Sequence, residues 1–111
     1  MKNSFLFISL VLSLNASEYS SLLYQGNCTT CHHDTKDISA PAMKEVRQNY
    51  LLAYPKKSDF VKAMSKWVDN PHEETSMMAQ SINKYELMPQ LYFQENVLKE
   101  ISAYIYDTDF K

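Results

Sequence analysis

A single glycine, Gly26, occurs among the 111 residues of this chain. Tight hairpin turns and phosphate-binding loops need glycine, because only glycine enters the left-handed backbone region without strain. The composition therefore argues against a many-stranded β fold and against a glycine-rich nucleotide loop. Lysine and arginine number 11 against 13 for aspartate and glutamate, so no large basic surface for nucleic acid is expected.

The N-terminus has the layout of an export signal. Lys2 supplies a positive start, an apolar run covers residues 5–14, and Ala16 is the small residue before a cleavage point. The run is too short to span a bilayer, which needs roughly 20 residues. We predict a cleavable signal peptide over residues 1–16 and one periplasmic domain over residues 17–111, without stable membrane insertion. An uncleaved anchor or a buried helix is the alternative.

Apolar residues recur at helical spacing along the remaining chain, and strand-like alternation is almost absent. The spacing predicts an all-α fold, a small bundle of about four helices. Pro41 suits the first turn of the second helix, Ser58 is the expected N-cap of the third, and Pro71 closes it. The predicted helices cover residues 17–27, 41–54, 58–70 and 92–107, with a weakly patterned fifth over 73–83.

The only two cysteines fall in one motif, Cys28-Thr29-Thr30-Cys31-His32. C-x-x-C-H is typical of covalent haem attachment in exported proteins. Two thiols three positions apart can reach the two vinyl groups of one porphyrin, and the next imidazole can bind the iron from one face. We predict one covalently attached haem c, with Cys28 and Cys31 as tethers and His32 as an iron ligand.

Three other uses of this motif stay open from the residues alone. The cysteines could form a structural disulfide, or a redox pair of the thioredoxin kind, although the latter normally sits in a βαβ context that this chain lacks. Zinc needs four ligands in a tetrahedron, for which the cysteines and histidines of residues 28–33 are crowded too closely.

The chain resembles the single-haem class I c-type cytochromes over most of residues 17–111. The run from Tyr24 to His32 is similar to the family's first helix and haem motif, with an aromatic residue four positions before the first cysteine. Residues 40–43, Ala-Pro-Ala-Met, are similar to the segment that supports the proximal histidine. Met88-Pro89 and the run 101–105 resemble the distal methionine loop and the final helix.

The resemblance implies a cytochrome c-like bundle wrapped around one haem. It implies that the Pro41 carbonyl accepts the ring N–H of His32. It also implies that the last helix crosses the first, which would place Ile101 and Tyr104 against Ser20 and Tyr24.

Met88 is the expected sixth iron ligand. A proline follows it, and it lies outside any helical pattern just before the last helix. Met77 and Met78 are rivals without that context, whereas Met43 and Met64 lie on apolar helical faces and are expected in the core. His33 directly follows His32 and is expected in solvent, and His72 is a less favoured nitrogen ligand near a polar helix start. Candidate partners of the haem propionates are Arg47, Tyr50, Tyr54 and Trp67.

With both axial positions filled by protein, no open site for a substrate remains, and no catalytic triad or carboxylate pair is evident. The expected function is therefore one-electron transfer between respiratory redox proteins, by a monomeric carrier that is not itself an enzyme. The alternatives are a haem-based sensor or ligand-binding module with a displaceable sixth ligand, and a haem subunit of a larger oxidoreductase.

Overall fold

The computed structural model describes residues 16–111, so the predicted signal peptide over residues 1–16 lies, except for Ala16, outside the described residues. This part of the chain is helical and holds no strand, which confirms the predicted all-α fold and small helical bundle. No helix within it combines the length and apolar content needed to cross a bilayer. The elements are α1 Ala16–Asn27, α2 Met43–Ala53, α3 Lys57–Asp69, a 3₁₀ turn Glu73–Thr75, α4 Ala79–Tyr85 and α5 Glu95–Asp107.

Helix α5 is the centre of the bundle, because it packs against both α1 and α3. Ser65 of α3 and Ser102 of α5 are buried, and their hydroxyls lie 3.2 Å apart, so small side chains let these two helices approach closely. The buried apolar cluster draws on α1, α2, α3, α5 and the C-terminal segment: Tyr24, Met43, Tyr50, Phe60, Met64, Ile101, Ile105 and Phe110.

The crossing of α1 and α5 brings Tyr24 against Tyr104, as the resemblance implied, whereas Ser20 bonds to Glu100, which the resemblance did not name. The ring centroids of Tyr24 and Tyr104 are 5.1 Å apart, and Ile101 is buried in the same cluster. The Ser20 hydroxyl donates a hydrogen bond of 2.8 Å to the Glu100 carboxylate. An aromatic contact and a polar contact together therefore hold the first helix on the last.

Several predicted helix boundaries were wrong. Lys56, not Ser58, is the N-cap of α3. Helix α2 begins at Met43 rather than Pro41, because the N–H of Ala42 donates to the Asp37 carboxylate before the first turn starts.

Two further boundaries also differ. Helix α5 begins at Glu95 rather than near Tyr92, whose φ of 56° is left-handed and cannot continue a right-handed helix. The weakly patterned segment 73–83 forms a 3₁₀ turn followed by α4, so residues 16–111 hold five α-helices where about four were expected. The expected end of α3 at Asn70-Pro71 is confirmed.

Candidate cofactor-binding site

An apolar cavity of about 450 Å³ lies inside the bundle. This volume falls within the range of about 300 to 1,000 Å³ that small-molecule and cofactor sites occupy. Helices α2, α3 and α5 supply one part of its apolar wall, which includes Val46, Met64, Val68, Leu98, Ile101 and Ile105. The cavity can therefore exclude water from a large apolar ligand.

All five residues predicted for the site line this one cavity. Cys28 and Cys31 follow the end of α1, His32 and Pro41 lie in the connection to α2, and Met88 lies in the non-helical segment before α5. They come from three separate stretches of the chain. The fold is what brings two thiols, an imidazole and a thioether to the same apolar space.

The imidazole of His32 has a defined orientation. Its Nδ1 lies 2.7 Å from the carbonyl oxygen of Pro41. Because a carbonyl oxygen only accepts, Nδ1 must carry the proton, and the lone pair of the neutral ring is then on Nε2. A metal-binding histidine is commonly oriented in this way by a carbonyl behind it. His32 is therefore prepared to act as a metal ligand through Nε2.

The connection that carries His32 and Pro41 is tied to the start of α2. The backbone N–H of Met43 donates to the carbonyl of His33, and that of Lys44 donates to the carbonyl of Asp34, both at 2.9 Å. The same Asp34 accepts a hydrogen bond of 2.6 Å from the hydroxyl of Tyr24 on α1. The Pro41 carbonyl is thus held by bonds to helices on both sides of the loop.

The cysteines are unpaired thiols, Cys28 half-buried and Cys31 exposed. Burial raises the pKa of the Cys28 thiol to about 11. A thiol-redox pair needs a lowered pKa so that a thiolate forms near neutral pH, and the shift at Cys28 has the opposite sign. Within residues 16–111 no three side chains of His, Cys, Asp or Glu come together as a metal site, so the zinc alternative has no ligand set there.

Three methionines outside the buried core line the cavity: Met77, Met78 and Met88. Met88 lies in a segment without helical structure, as its sequence context predicted, but its two rivals also face the cavity. Met43 and Met64 are buried in the core cluster, as expected, and contribute to the wall.

The remaining histidines lie away from the cavity wall. His72 is exposed and does not line the cavity, so the geometry does not favour it as a ligand. His33 is exposed, as expected, and its Nδ1 accepts hydrogen bonds of 3.1 Å from the backbone N–H groups of Thr35 and Lys36.

Two of the four candidate propionate partners have other hydrogen-bond partners. Arg47 donates to the carbonyls of Ile105 and Tyr106 at the end of α5, where a cation suits the helix dipole. The indole N–H of Trp67 donates to the carbonyl of His72. Tyr50 alone of the four is both buried and part of the cavity wall.

Asn49 contacts the site although nothing in the sequence marks it as a site residue. The side-chain N–H₂ group of Asn49 on α2 lies 3.1 Å from the carbonyl oxygen of Met77 and 3.0 Å from the sulfur of Met78. No local pattern indicates this contact, since nearly thirty residues separate the partners in sequence. Only the packing of the turn before α4 onto α2 brings them together.

Two buried phenols predict a loss of stability in alkali. Burial raises the pKa of Tyr24, and its hydrogen bond to Asp34 raises it further, while burial also raises the pKa of Tyr50. In the unfolded chain both phenols ionise above about pH 10. A phenol whose pKa is higher in the folded than in the unfolded chain favours the folded state while it stays protonated. This contribution to the free energy of unfolding is present below about pH 10 and is lost as the pH rises further. We expect the free energy of unfolding in urea to fall steeply as the pH rises above about 10.

The double variant Y24F/Y50F tests the origin of that fall. Its stability at neutral pH is expected to be lower, because the bond to Asp34 is lost, but its decline above pH 10 should be shallower. Y92F is the matched control, since Tyr92 is 82% exposed, and it should decline as the unmodified chain does. Equal slopes in Y24F/Y50F and Y92F would show that other groups cause the alkaline loss.

Comparison of the chain with protein-family models, curated proteins and solved structures finds no match. Inferences about the site therefore depend on its own geometry and chemistry.

Proposed function

We propose that this protein is a mono-haem c-type cytochrome that carries single electrons between redox partners. The observation that carries the proposal is the bond between His32 Nδ1 and the Pro41 carbonyl, which leaves Nε2 available for a metal beside two free thiols in one apolar cavity. The size and apolar wall of the cavity fit a large flat ring, and Cys28 and Cys31 at its edge fit covalent attachment.

Each of the five site residues would have a separate role. Cys28 and Cys31 would tether the haem through thioether bonds, and His32 Nε2 and the Met88 sulfur would bind its iron. When bound, the haem supplies an iron that accepts and releases one electron. The Pro41 carbonyl keeps the His32 ring in one orientation, so the protein needs little rearrangement during electron transfer.

The rest of the cavity sets the properties of the carrier. Its apolar wall keeps water away, and a methionine–histidine pair gives a higher reduction potential than two nitrogens. Because His32 and Met88 would both bind the iron, the haem would offer no position for a substrate, which would suit a carrier and not an enzyme. Cys31 is exposed, so the edge of the ring near the tethers is the proposed contact for a redox partner, in a small and short-lived encounter.

Mass spectrometry of the native protein tests this function directly. A proteolytic peptide spanning Cys28 to His32 should carry the mass of haem. The visible spectrum of the purified protein should change between oxidised and reduced forms, and the oxidised form should show the weak sulfur-to-iron band. A native peptide that is unmodified, or that holds a Cys28–Cys31 disulfide, would end the proposal.

A haem-based sensor is a second candidate, favoured by the position of Met88. This residue is only half-buried and lies between Glu86 and Tyr92, both of which have left-handed backbone conformations that cost energy. Carbon monoxide separates the two functions. Rapid and tight binding to the reduced protein at neutral pH would support a sensor, and slow or weak binding supports the carrier.

A further inference from the structure

Three methionines outside the buried core line the cavity with His32, although a haem iron held by one histidine would need only one more ligand. Met77 and Met78 lie in the turn before α4, and Met88 lies in the segment after it. Methionine is also a common filler of irregular cores, so lining the cavity does not by itself make a sulfur a ligand. The contacts of each methionine therefore have to show which sulfur is placed to bind a metal and which only fills the core.

Asn49 contacts the sulfur of Met78 but only the backbone of Met77. The side-chain N–H₂ of Asn49 donates to the sulfur of Met78 at 3.0 Å, whereas at Met77 it contacts the backbone carbonyl, at 3.1 Å. The sulfur of Met78 is therefore the one that this bond positions. A thioether sulfur has two lone pairs, so a bond to Asn49 leaves the second pair free for a metal.

The segment that carries Met88 is, in contrast, strained at both ends. Glu86 has a φ of 70° and Tyr92 a φ of 56°, and neither is a glycine. Such conformations cost energy, and segments with few buried contacts are the first to open locally. Tyr92 is 82% exposed, so its side chain adds little packing to hold the segment down. Met88 is thus on the more easily displaced part of the cavity wall.

We propose that Met78 is a second sulfur ligand of the haem iron, which replaces Met88 when the segment of residues 86–94 opens. This inference rests on the proposed function. In the exchange one sulfur–iron bond breaks and another forms, and neither a proton nor an electron is transferred. The histidine–methionine ligand pair, and with it the ability to carry electrons, would survive the opening of the Met88 segment.

The test uses the full chain with haem attached and leucine in place of single methionines, because this exchange nearly conserves side-chain volume. Two signals report a bound sulfur: the sulfur-to-iron band of the oxidised protein, and the shifted NMR resonance of the ligand's methyl group in the reduced protein. M88L should keep both signals, since Met78 takes the vacant position. M88L/M78L should lose both, and should bind carbon monoxide faster than M88L.

M88L/M77L is the matched control, because Met77 is adjacent and lines the same cavity, and it should keep both signals. N49L in the M88L background should lower the equilibrium constant for binding of the Met78 sulfur to the iron about fivefold, which is the effect of losing one ordinary hydrogen bond.

Loss of both signals in M88L, with haem still attached, would overturn the inference and leave the proposed function intact. Equal signals in M88L/M78L and M88L would overturn it also. Absence of haem from the native peptide would instead overturn the proposed function, and the inference with it.

Discussion

Replacing Cys28 and Cys31 together by alanine should leave the domain largely unfolded. The core of this small chain surrounds a cavity of about 450 Å³, and a closed, empty cavity of that size would cost about 10 kcal/mol. Water entering through the mouth lowers that cost, but total stabilities of small domains are only about 5 to 15 kcal/mol. Without the tethers the proposed haem is not retained, and the cavity lacks the ligand that fills it.

Circular dichroism and urea unfolding of the double variant measure this effect. The helical signal in the far ultraviolet should fall, and no cooperative transition in urea should remain. T30A is the matched control, because Thr30 is an exposed residue inside the same motif, and it should fold and carry haem. A C28A/C31A chain that folds without haem, and with undiminished stability, would contradict the view that haem completes the core.

Phe60→Ala should lower the free energy of unfolding by about 4 kcal/mol. The side chain of Phe60 is fully buried, at 0% exposed. Its ring centroid lies 5.7 Å from that of Tyr50 on α2 and 5.1 Å from that of Tyr106 on α5. Removing it leaves a hole where three helices meet, so the loss includes the cavity as well as the transfer of the ring from water.

Urea unfolding of the protein with its proposed haem checks this value. L52A is the control, since Leu52 is 79% exposed and its truncation should change the stability by less than about 0.5 kcal/mol. If F60A lost no more than L52A, the contacts among α2, α3 and α5 would not be the centre of the core. F60A should keep the spectrum of the proposed haem, because Phe60 does not line the cavity.

Local rules predicted the helices better than their ends. The apolar spacing of Phe60, Met64 and Val68 indicated α3, and Pro71 indicated its end, because both effects act within a few residues. The start of α5 was misplaced, since the left-handed conformation of Tyr92 has no mark in the sequence. The start of α2 was misplaced because the side chain of Asp37 takes the N–H of Ala42, a contact that spacing does not reveal.

The candidate site also has residues that the sequence predicted and contacts that it did not predict. The sequence singled out the motif of Cys28, Cys31 and His32 by its spacing, and Met88 by the proline and loop around it, and all four line one cavity. The hydrogen-bond partners of Arg47 and Trp67 could not be predicted from the sequence. Arg47 caps α5 and Trp67 binds the carbonyl of His72, because hydrogen bonds in the folded chain are decided by which groups packing brings within about 3 Å.

The sequence by itself determined that the described part of the chain is all-α and that Cys28, Cys31 and His32 fall in one short motif. Both properties follow from helical periodicity and from the distances spanned by neighbouring residues. Only the tertiary structure decided that Met77 and Met78 line the same cavity as Met88, and that Asn49 donates a hydrogen bond to the sulfur of Met78. Those contacts join residues distant in sequence, and helix packing alone brings such residues together.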